Sequence, residues 1–260
     1  MPKLVVSLAQ FRIALGDVPR NWTAVEKLAQ EAAKRGSHLL VLPELWSTGY
    51  ALDRANALSS PINGGIFTQL STLAAQHKLS IVGSVLEKSG QNTTNSAAFI
   101  ASNGQNLGVY RKIHLFRLMA EDAHLRAGQS PLLLNLPWGK TAFAICYDLR
   151  FPELFRRYAL DGALMCVIPA EWPIERAEHW TTLLRARAIE NQMYIVACNA
   201  CGEIGGTTFA GQSMVIDPWG KVIAAAGEDP LLLTAELDLD RVAEVRQRIP
   251  VFDDRRPELY

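Results

Sequence analysis

Three residues of this chain pair a reactive side chain with a place at the end of an apolar run. Cys146 closes the stretch Thr141-Ala-Phe-Ala-Ile-Cys146, and a polar turn and then Phe151-Pro152-Glu153, a helix-like opening, follow it. A thiol at a strand end, facing the free N–H groups of a helix start, is expected to have a lowered pKa and an oxyanion pocket beside it. That is a nucleophile's position, although a buried core thiol fits this segment equally well. Glu44 follows Val41-Leu42-Pro43 and has Trp46 and Tyr50 nearby. A carboxylate with such apolar neighbours suits a general base or acid, whereas a surface carboxylate is the commoner use of such a position. Lys112, in Tyr110-Arg-Lys-Ile-His-Leu-Phe116, is either a fixed charge for a developing oxyanion or a snorkelling lysine.

Other chemistries find little support. The chain has no Gly-x-Ser-x-Gly elbow, phosphate-binding glycine loop or His-Glu-x-x-His. Cys198-Asn-Ala-Cys201 is a lone C-x-x-C. It supplies only two zinc ligands, and a redox dithiol would prefer a helix N-terminus, so both are read as packing cysteines. The five histidines are scattered, and none stands out as a partner for a catalytic thiol.

The elements that must position these residues alternate. Strands are predicted at Leu4–Gln10, His38–Leu42, Ser80–Leu86, Ala97–Ala101, Leu107–Arg111, Leu132–Leu136 and Thr141–Cys146. Further strands are predicted at Ala163–Ile168, Met193–Asn199, Ser213–Ile216, Lys221–Ala225 and Leu231–Leu237. Helices are predicted after an N-cap at Asn21, over Gly65–His77, Phe151–Asp161 and Glu175–Gln192. This is too strand-rich for a simple doubly wound sheet, and helices outside two packed sheets accommodate it. With 260 residues, 49% of them apolar, and no linker or repeat, one α/β domain over residues 1–260 is expected. Twenty-six basic residues balance twenty-six acidic ones, which argues against electrostatic binding of nucleic acid or a membrane surface. The N-terminus enters a strand pattern at once, without a signal-like segment, so a cytoplasmic protein with reduced thiols is expected.

Taken together, Leu42-Pro-Glu-Leu-Trp-Ser-Thr-Gly-Tyr50, Arg111-Lys-Ile-His-Leu-Phe116 and Ile145-Cys-Tyr-Asp-Leu-Arg-Phe-Pro-Glu153 resemble the three motifs of the nitrilase superfamily of carbon–nitrogen hydrolases. Arg187-Ala-Ile-Glu-Asn-Gln192, Asp217-Pro-Trp-Gly220 and the segment from Ile249 to Pro257 also fit, so the likeness runs almost the whole chain. The resemblance implies a four-layer α-β-β-α sandwich, no cofactor and no metal. It also implies a homodimer, formed through helices near the nucleophile segment. It assigns Glu44 as base, Lys112 and the Tyr147 N–H as oxyanion donors, and Cys146 as nucleophile. A second glutamate is implied ahead of Gly128. Glu121 has the better spacing, and Asp122 is its competitor.

Within the superfamily the closest likeness is to ω-amidases of the bacterial methionine-salvage type, which implies 2-oxoglutaramate as substrate. Nitriles, N-carbamoyl amines and aliphatic amides are alternatives with the same triad. A catalytically silent binding module is an alternative of another class. By analogy, Arg150 is expected to bind the substrate carboxylate, with Arg176 as a second cation, Trp172 as an apolar wall and Tyr50 lining the site. Pairing of Arg150 with a local acid such as Asp148 is the rival reading of that arginine.

Overall fold

Alternation of burial along short strands sets the layers. The computed structural model describes residues 3–259. In Leu39–Val41, Leu39 and Val41 join the core between two sheets, while Leu40 and Leu42 face a second core beneath helices. A strand apolar on both faces must be covered on both, and the fold supplies a sheet on one side and helices on the other.

The first sheet runs Leu231–Leu237, Leu4–Gln10, Leu39–Val41, Ser80–Ser89, Asn92–Ile100, Asn106–Arg111. The second runs Val222–Ala225, Met214–Ile216, Tyr194–Asn199, Met165–Ala170, Gly139–Phe143, Leu133–Leu136. In each sheet three consecutive central strands are parallel and the next strands along the order antiparallel; off that order, the two-residue strand Ser60–Pro61 pairs parallel with Ser80–Ser89. Helices Val18–Lys34 and Gly65–His77 bury Val25, Ala29, Phe67 and Leu70 against the first sheet. Helices Pro152–Leu160 and Ala177–Asn191 bury Phe155, Tyr158, Trp180 and Leu184 against the second. The result is the four-layer α-β-β-α sandwich. Among the described residues, no helix is long and apolar enough to cross a membrane.

Several local readings change. The first helix starts at Val18, not after Asn21; its cap is Asp17, whose Oδ1 accepts from the Arg20 N–H at 3.1 Å. Pro19 fits the first turn because its missing N–H would have no partner there. Asn21 is instead buried and ties the helix to the Glu44 loop, donating to the Ser47 carbonyl at 2.9 Å. The strand before Cys146 stops at Phe143. The strand predicted at Ala97–Ala101 begins at Asn92, because Thr94, Asn95 and Ser96 are buried among polar partners rather than in an apolar core. The short helix Glu121–His124, the hairpin Cys201–Ile204 with Thr207–Ala210, and the helix Asp240–Arg248 are additional elements.

Candidate active site

Glu44 lies just past the carboxyl end of a parallel strand, where α/β sheets commonly hold ligands. The chain turns at once: Leu45 has φ +41°, and its N–H donates to Ser84 Oγ at 2.9 Å. Gly83 on the neighbouring strand permits this turn, since a Cβ there would meet the Leu42 Cβ at 2.5 Å. The Glu44 side chain is fully buried. Its Oε1 accepts from Lys112 Nζ at 2.7 Å and from Asn95 Nδ2 at 2.8 Å, and its Oε2 accepts from the Glu171 N–H at 3.0 Å.

Lys112 follows the edge strand Asn106–Arg111 and is held by its backbone on both sides. Its N–H donates to the Asn95 carbonyl at 2.9 Å, and its carbonyl accepts from the Gly128 N–H at 2.8 Å. Gly128 is required there because a Cβ would meet the Arg111 carbonyl oxygen at 2.1 Å. The ammonium is fully buried between Glu44 and Glu121, 2.7 Å from each carboxylate. Burial alone would lower its pKa, but the charges of Glu121 and Glu44 outweigh it and leave the ammonium well above its usual value.

Glu121 is the carboxylate that reaches this lysine; Asp122 is exposed and lies 4.0 Å from Arg117. Glu121 also accepts from the Phe116 N–H at 2.6 Å and from Asn95 Nδ2 at 3.1 Å. Burial raises its pKa, Lys112 opposes that, and Glu44 adds to it. Tyr50 donates to Glu121 at 3.4 Å and accepts from Lys112 at 3.4 Å, so it belongs to the carboxylate–lysine cluster. Its ring lines a separate cavity from the one beside Cys146. Burial, with Glu121 and Glu44, pushes its phenol well above the usual range and keeps it neutral.

Cys146 opens a short 3₁₀ turn, Cys146–Arg150, and has φ +43°. Strain of this kind is held only where the surroundings enforce it. Asp148 does so here. It is fully buried, and its carboxylate accepts from the Ile145 N–H at 2.9 Å, the Tyr110 hydroxyl at 2.7 Å and the His114 N–H at 3.0 Å. By holding the Ile145 N–H, Asp148 ends the strand early and turns the chain at the sulfur. His114 Nδ1 lies 2.7 Å from Asp148, and its ring stacks on Phe151.

The expected lowering of the Cys146 pKa is corrected. The helix Pro152–Leu160 begins six residues later, and the thiol is almost wholly buried, 3.7 Å from the Glu171 carbonyl. Burial first, and the Glu44 charge second, push the thiol well above its usual value, with Lys112 opposing them. The resting group is a thiol beside a base, not a free thiolate.

A small cavity opens on Cys146. Phe116, Tyr147, Arg150, Trp172 and Arg176 line it. Arg150 does not pair with Asp148, whose oxygens face Tyr110 and His114. Its guanidinium lies 4.8 Å over the Trp172 ring and 3.3 Å from His179 Nδ1. Burial, and then the Arg176 charge, hold the Arg150 pKa below its usual value. Arg176 sits 5.5 Å over the Phe116 ring. Among the described residues, neither guanidinium has a carboxylate within ion-pair distance.

Three buried residues of this region escaped sequence reasoning. Asn95 lies in the polar run Asn92-Thr-Thr-Asn-Ser96, which carries no apolar periodicity to mark it as a buried strand. Asp148 lies two residues past Cys146 and enters the sequence reading only as the rival partner of Arg150, not as the residue that holds the turn at the sulfur. Glu171 follows the buried strand Met165–Ala170 as Glu44 and Cys146 follow theirs. Cys198 and Cys201 are buried, free thiols on strands of two different sheets; burial raises both, Cys201 to about 11, which fits packing rather than redox exchange.

Comparison with known proteins agrees with this geometry. Residues 5–247 match the carbon–nitrogen hydrolase family model. The chain is 41% identical over 259 residues to the 2-oxoglutaramate amidase of Bacillus subtilis (strain 168), covering 99% of this chain and 100% of that protein. It is 32% identical over 269 residues to the omega-amidase NIT2 of Bos taurus, covering 97% and 98%. A CN-hydrolase superfamily protein from Xanthomonas campestris, solved with an arsenic adduct in its active site, superposes with a TM-score of 0.93 at 30% identity, covering 98% of each chain. An amidase variant from Nesterenkonia sp. AN1, with acrylamide added to its active-site cysteine, superposes with a TM-score of 0.86 at 26% identity, covering 95% of this chain and 98% of that one. With a family model spanning nearly its whole length and the sandwich those solved structures share, this chain belongs to the carbon–nitrogen hydrolase family of the nitrilase superfamily.

Proposed function

We propose that this amidohydrolase cleaves the terminal amide of a small carboxylated substrate, 2-oxoglutaramate, to 2-oxoglutarate and ammonia. The observation that carries the reading is the pair Arg150 and Arg176 on the same small cavity as Cys146. Two cations with no carboxylate partner among the described residues repel each other, and an anionic substrate relieves that repulsion. The names of the Bacillus subtilis and Bos taurus relatives support the same substrate class.

The proposed reaction starts from the neutral thiol. Glu44 takes the Cys146 proton as the sulfur attacks the amide carbon. The carbonyl electrons move onto oxygen, where the Lys112 ammonium and the Tyr147 backbone N–H hold them. The tetrahedral intermediate collapses, the C–N bond breaks, and Glu44 returns the proton to the departing nitrogen, releasing ammonia. Water then attacks the thioester while Glu44 takes its proton, and that proton passes back to the sulfur as the acid leaves. Glu121 fixes the ammonium in place throughout. The acrylamide adduct on the active-site cysteine of the Nesterenkonia amidase is consistent with a nucleophilic thiol in this fold.

An ammonia-release panel over 2-oxoglutaramate, 2-oxosuccinamate, neutral aliphatic amides, nitriles and N-carbamoyl amines tests the substrate. The carboxylated amides should lead in kcat/KM, by at least about tenfold, the discrimination one charge-assisted contact supplies. A nitrile or carbamoyl compound in first place would overturn the reading. Arg150→Lys keeps the charge but loses the bidentate fork. It should raise KM for 2-oxoglutaramate by about tenfold, with a much smaller change for a neutral amide. Equal changes in both would remove Arg150 from the carboxylate site.

A further inference from the structure

Glu171 is buried to 1% exposure, yet neither carboxylate oxygen has a hydrogen-bond partner among the described residues. A buried, unpartnered carboxylate is among the least favourable arrangements a protein can hold. Its backbone is fully used: the N–H donates to Glu44 at 3.0 Å, and the carbonyl faces Cys146 Sγ at 3.7 Å. Glu171 lines both the cavity beside Cys146 and the cavity that Tyr50 lines.

The cluster's charge count shows what this side chain must be. Glu44, Glu121 and Glu171 are buried around one buried cation, Lys112. If all three carboxyls were ionised, two negative charges would lie uncompensated out of water. Glu44 accepts hydrogen bonds from Lys112, Asn95 and a backbone N–H, and Glu121 from Lys112, Asn95, Tyr50 and a backbone N–H. Those donors stabilise charge on Glu44 and Glu121. Glu171 has none. Its burial, followed by the repulsion of Glu44, also drives its carboxyl well above the usual range, against the attraction of Lys112.

We propose that Glu171 is the protonated carboxyl of the active site and that its carbonyl oxygen accepts an N–H of the substrate amide, selecting primary amides over acyl compounds that carry no N–H. The inference rests on the proposed function and deepens it by naming the residue that recognises the scissile amide. A neutral group is needed because a further anion beside Cys146 would oppose thiolate formation. The carboxyl's O–H is free to meet a lone pair of the bound substrate. A primary amide offers two N–H donors, whereas an ester or nitrile of the same acyl chain offers none.

The test compares Glu171→Gln and Glu171→Met with the wild type on a primary amide and the methyl ester of the same acid. Glutamine keeps the carbonyl acceptor, a donor and neutrality; methionine keeps only the size. The amide-to-ester ratio of kcat/KM should fall about tenfold in Glu171→Met, the worth of one hydrogen bond, and recover in Glu171→Gln. A packing defect would lower both substrates together and leave the ratio unchanged, which would overturn the inference. Infrared spectroscopy of the free enzyme adds an arm that needs no turnover. A protonated-carboxyl stretching band, shifted in D₂O, should be present in the wild type and absent from Glu171→Gln; persistence of that band unchanged would also overturn it. If the wild type left 2-oxoglutaramate intact while this band behaved as described, the substrate reading would fall and the protonation of Glu171 would stand.

Discussion

Cys146→Ala releases no ammonia above background from any amide that the wild type hydrolyses, while its melting temperature stays close to the wild-type value. Both halves follow from the site. The proposed reaction makes and breaks its only covalent bond to the protein at this sulfur, and no other thiol lines the cavity. The fold asks little of the sulfur, which makes one long contact to the Glu171 carbonyl. Alanine tolerates the left-handed φ of +43° no worse than cysteine does. Steady-state ammonia release beside a thermal melt measures both. Turnover within about tenfold of wild type would mean that the nucleophile lies elsewhere, since losing a nucleophile removes most of an enzyme's rate.

The raised pKa of this thiol adds a pH signature. Burial and Glu44 disfavour the thiolate, so the fraction ionised is small at neutral pH and grows as pH rises. Alkylation of the resting enzyme by a reagent that offers no amide to the site should therefore be slow at neutral pH and accelerate steadily into the alkaline range. A plateau reached below neutral pH would show a preformed thiolate.

Lys112→Met should be the most damaging substitution for rate and stability together. It deletes the one cation between Glu44 and Glu121, both fully buried and each 2.7 Å from the ammonium. Breaking a buried pair by removing one partner typically destabilises by about 3–5 kcal/mol, because the remaining charge stays out of water. Here two carboxylates are left, and one must take up a proton. In the proposed reaction the oxyanion also loses a donor, which by itself is worth about 10²–10³ in rate. Urea denaturation with kcat/KM on 2-oxoglutaramate reads both effects. Adding Glu121→Gln should restore much of the stability by removing one orphaned charge, and none of the rate. A single variant with wild-type midpoint and activity would mean that the lysine is structurally and catalytically idle.

The sequence revealed the ends of strands better than the buried polar interior between them. Glu44, Lys112 and Cys146 were legible because each follows an apolar run, and such runs also mark the sheets that carry them. The first helix was legible from its 3.6-residue apolar spacing, although Asn21 misled: a polar residue near a helix start reads as a cap, and here it is a buried tie between two loops. Asn95 and Asp148 stayed hidden for a related reason. Asn95 lies among polar neighbours and Asp148 in a turn, and only the meeting of distant segments gives each its buried partners. The Cys146 pKa departs from the sequence expectation because burial outweighs the helix-start N–H groups, and the two readings the segment allows, nucleophile and buried thiol, hold at once. Burial depends on what closes over the sulfur, and that comes from segments far away in the chain.

Glu44 and Lys112 come from the first sheet, whereas Cys146 and Glu171 come from the second. In the proposed reaction the working groups therefore meet across the seam between the two sheets, which is packed with apolar side chains and tied at the site by a few polar contacts, such as the Glu171 N–H to Glu44 at 3.0 Å and the Tyr110 hydroxyl to Asp148 at 2.7 Å. Each sheet could keep all its ladder bonds while sliding slightly over the other, and the base would then no longer reach the sulfur. By the proposed reaction, turnover is thus a gauge of how the halves are aligned, and it would fade at a shear too small for any measure of secondary structure to register.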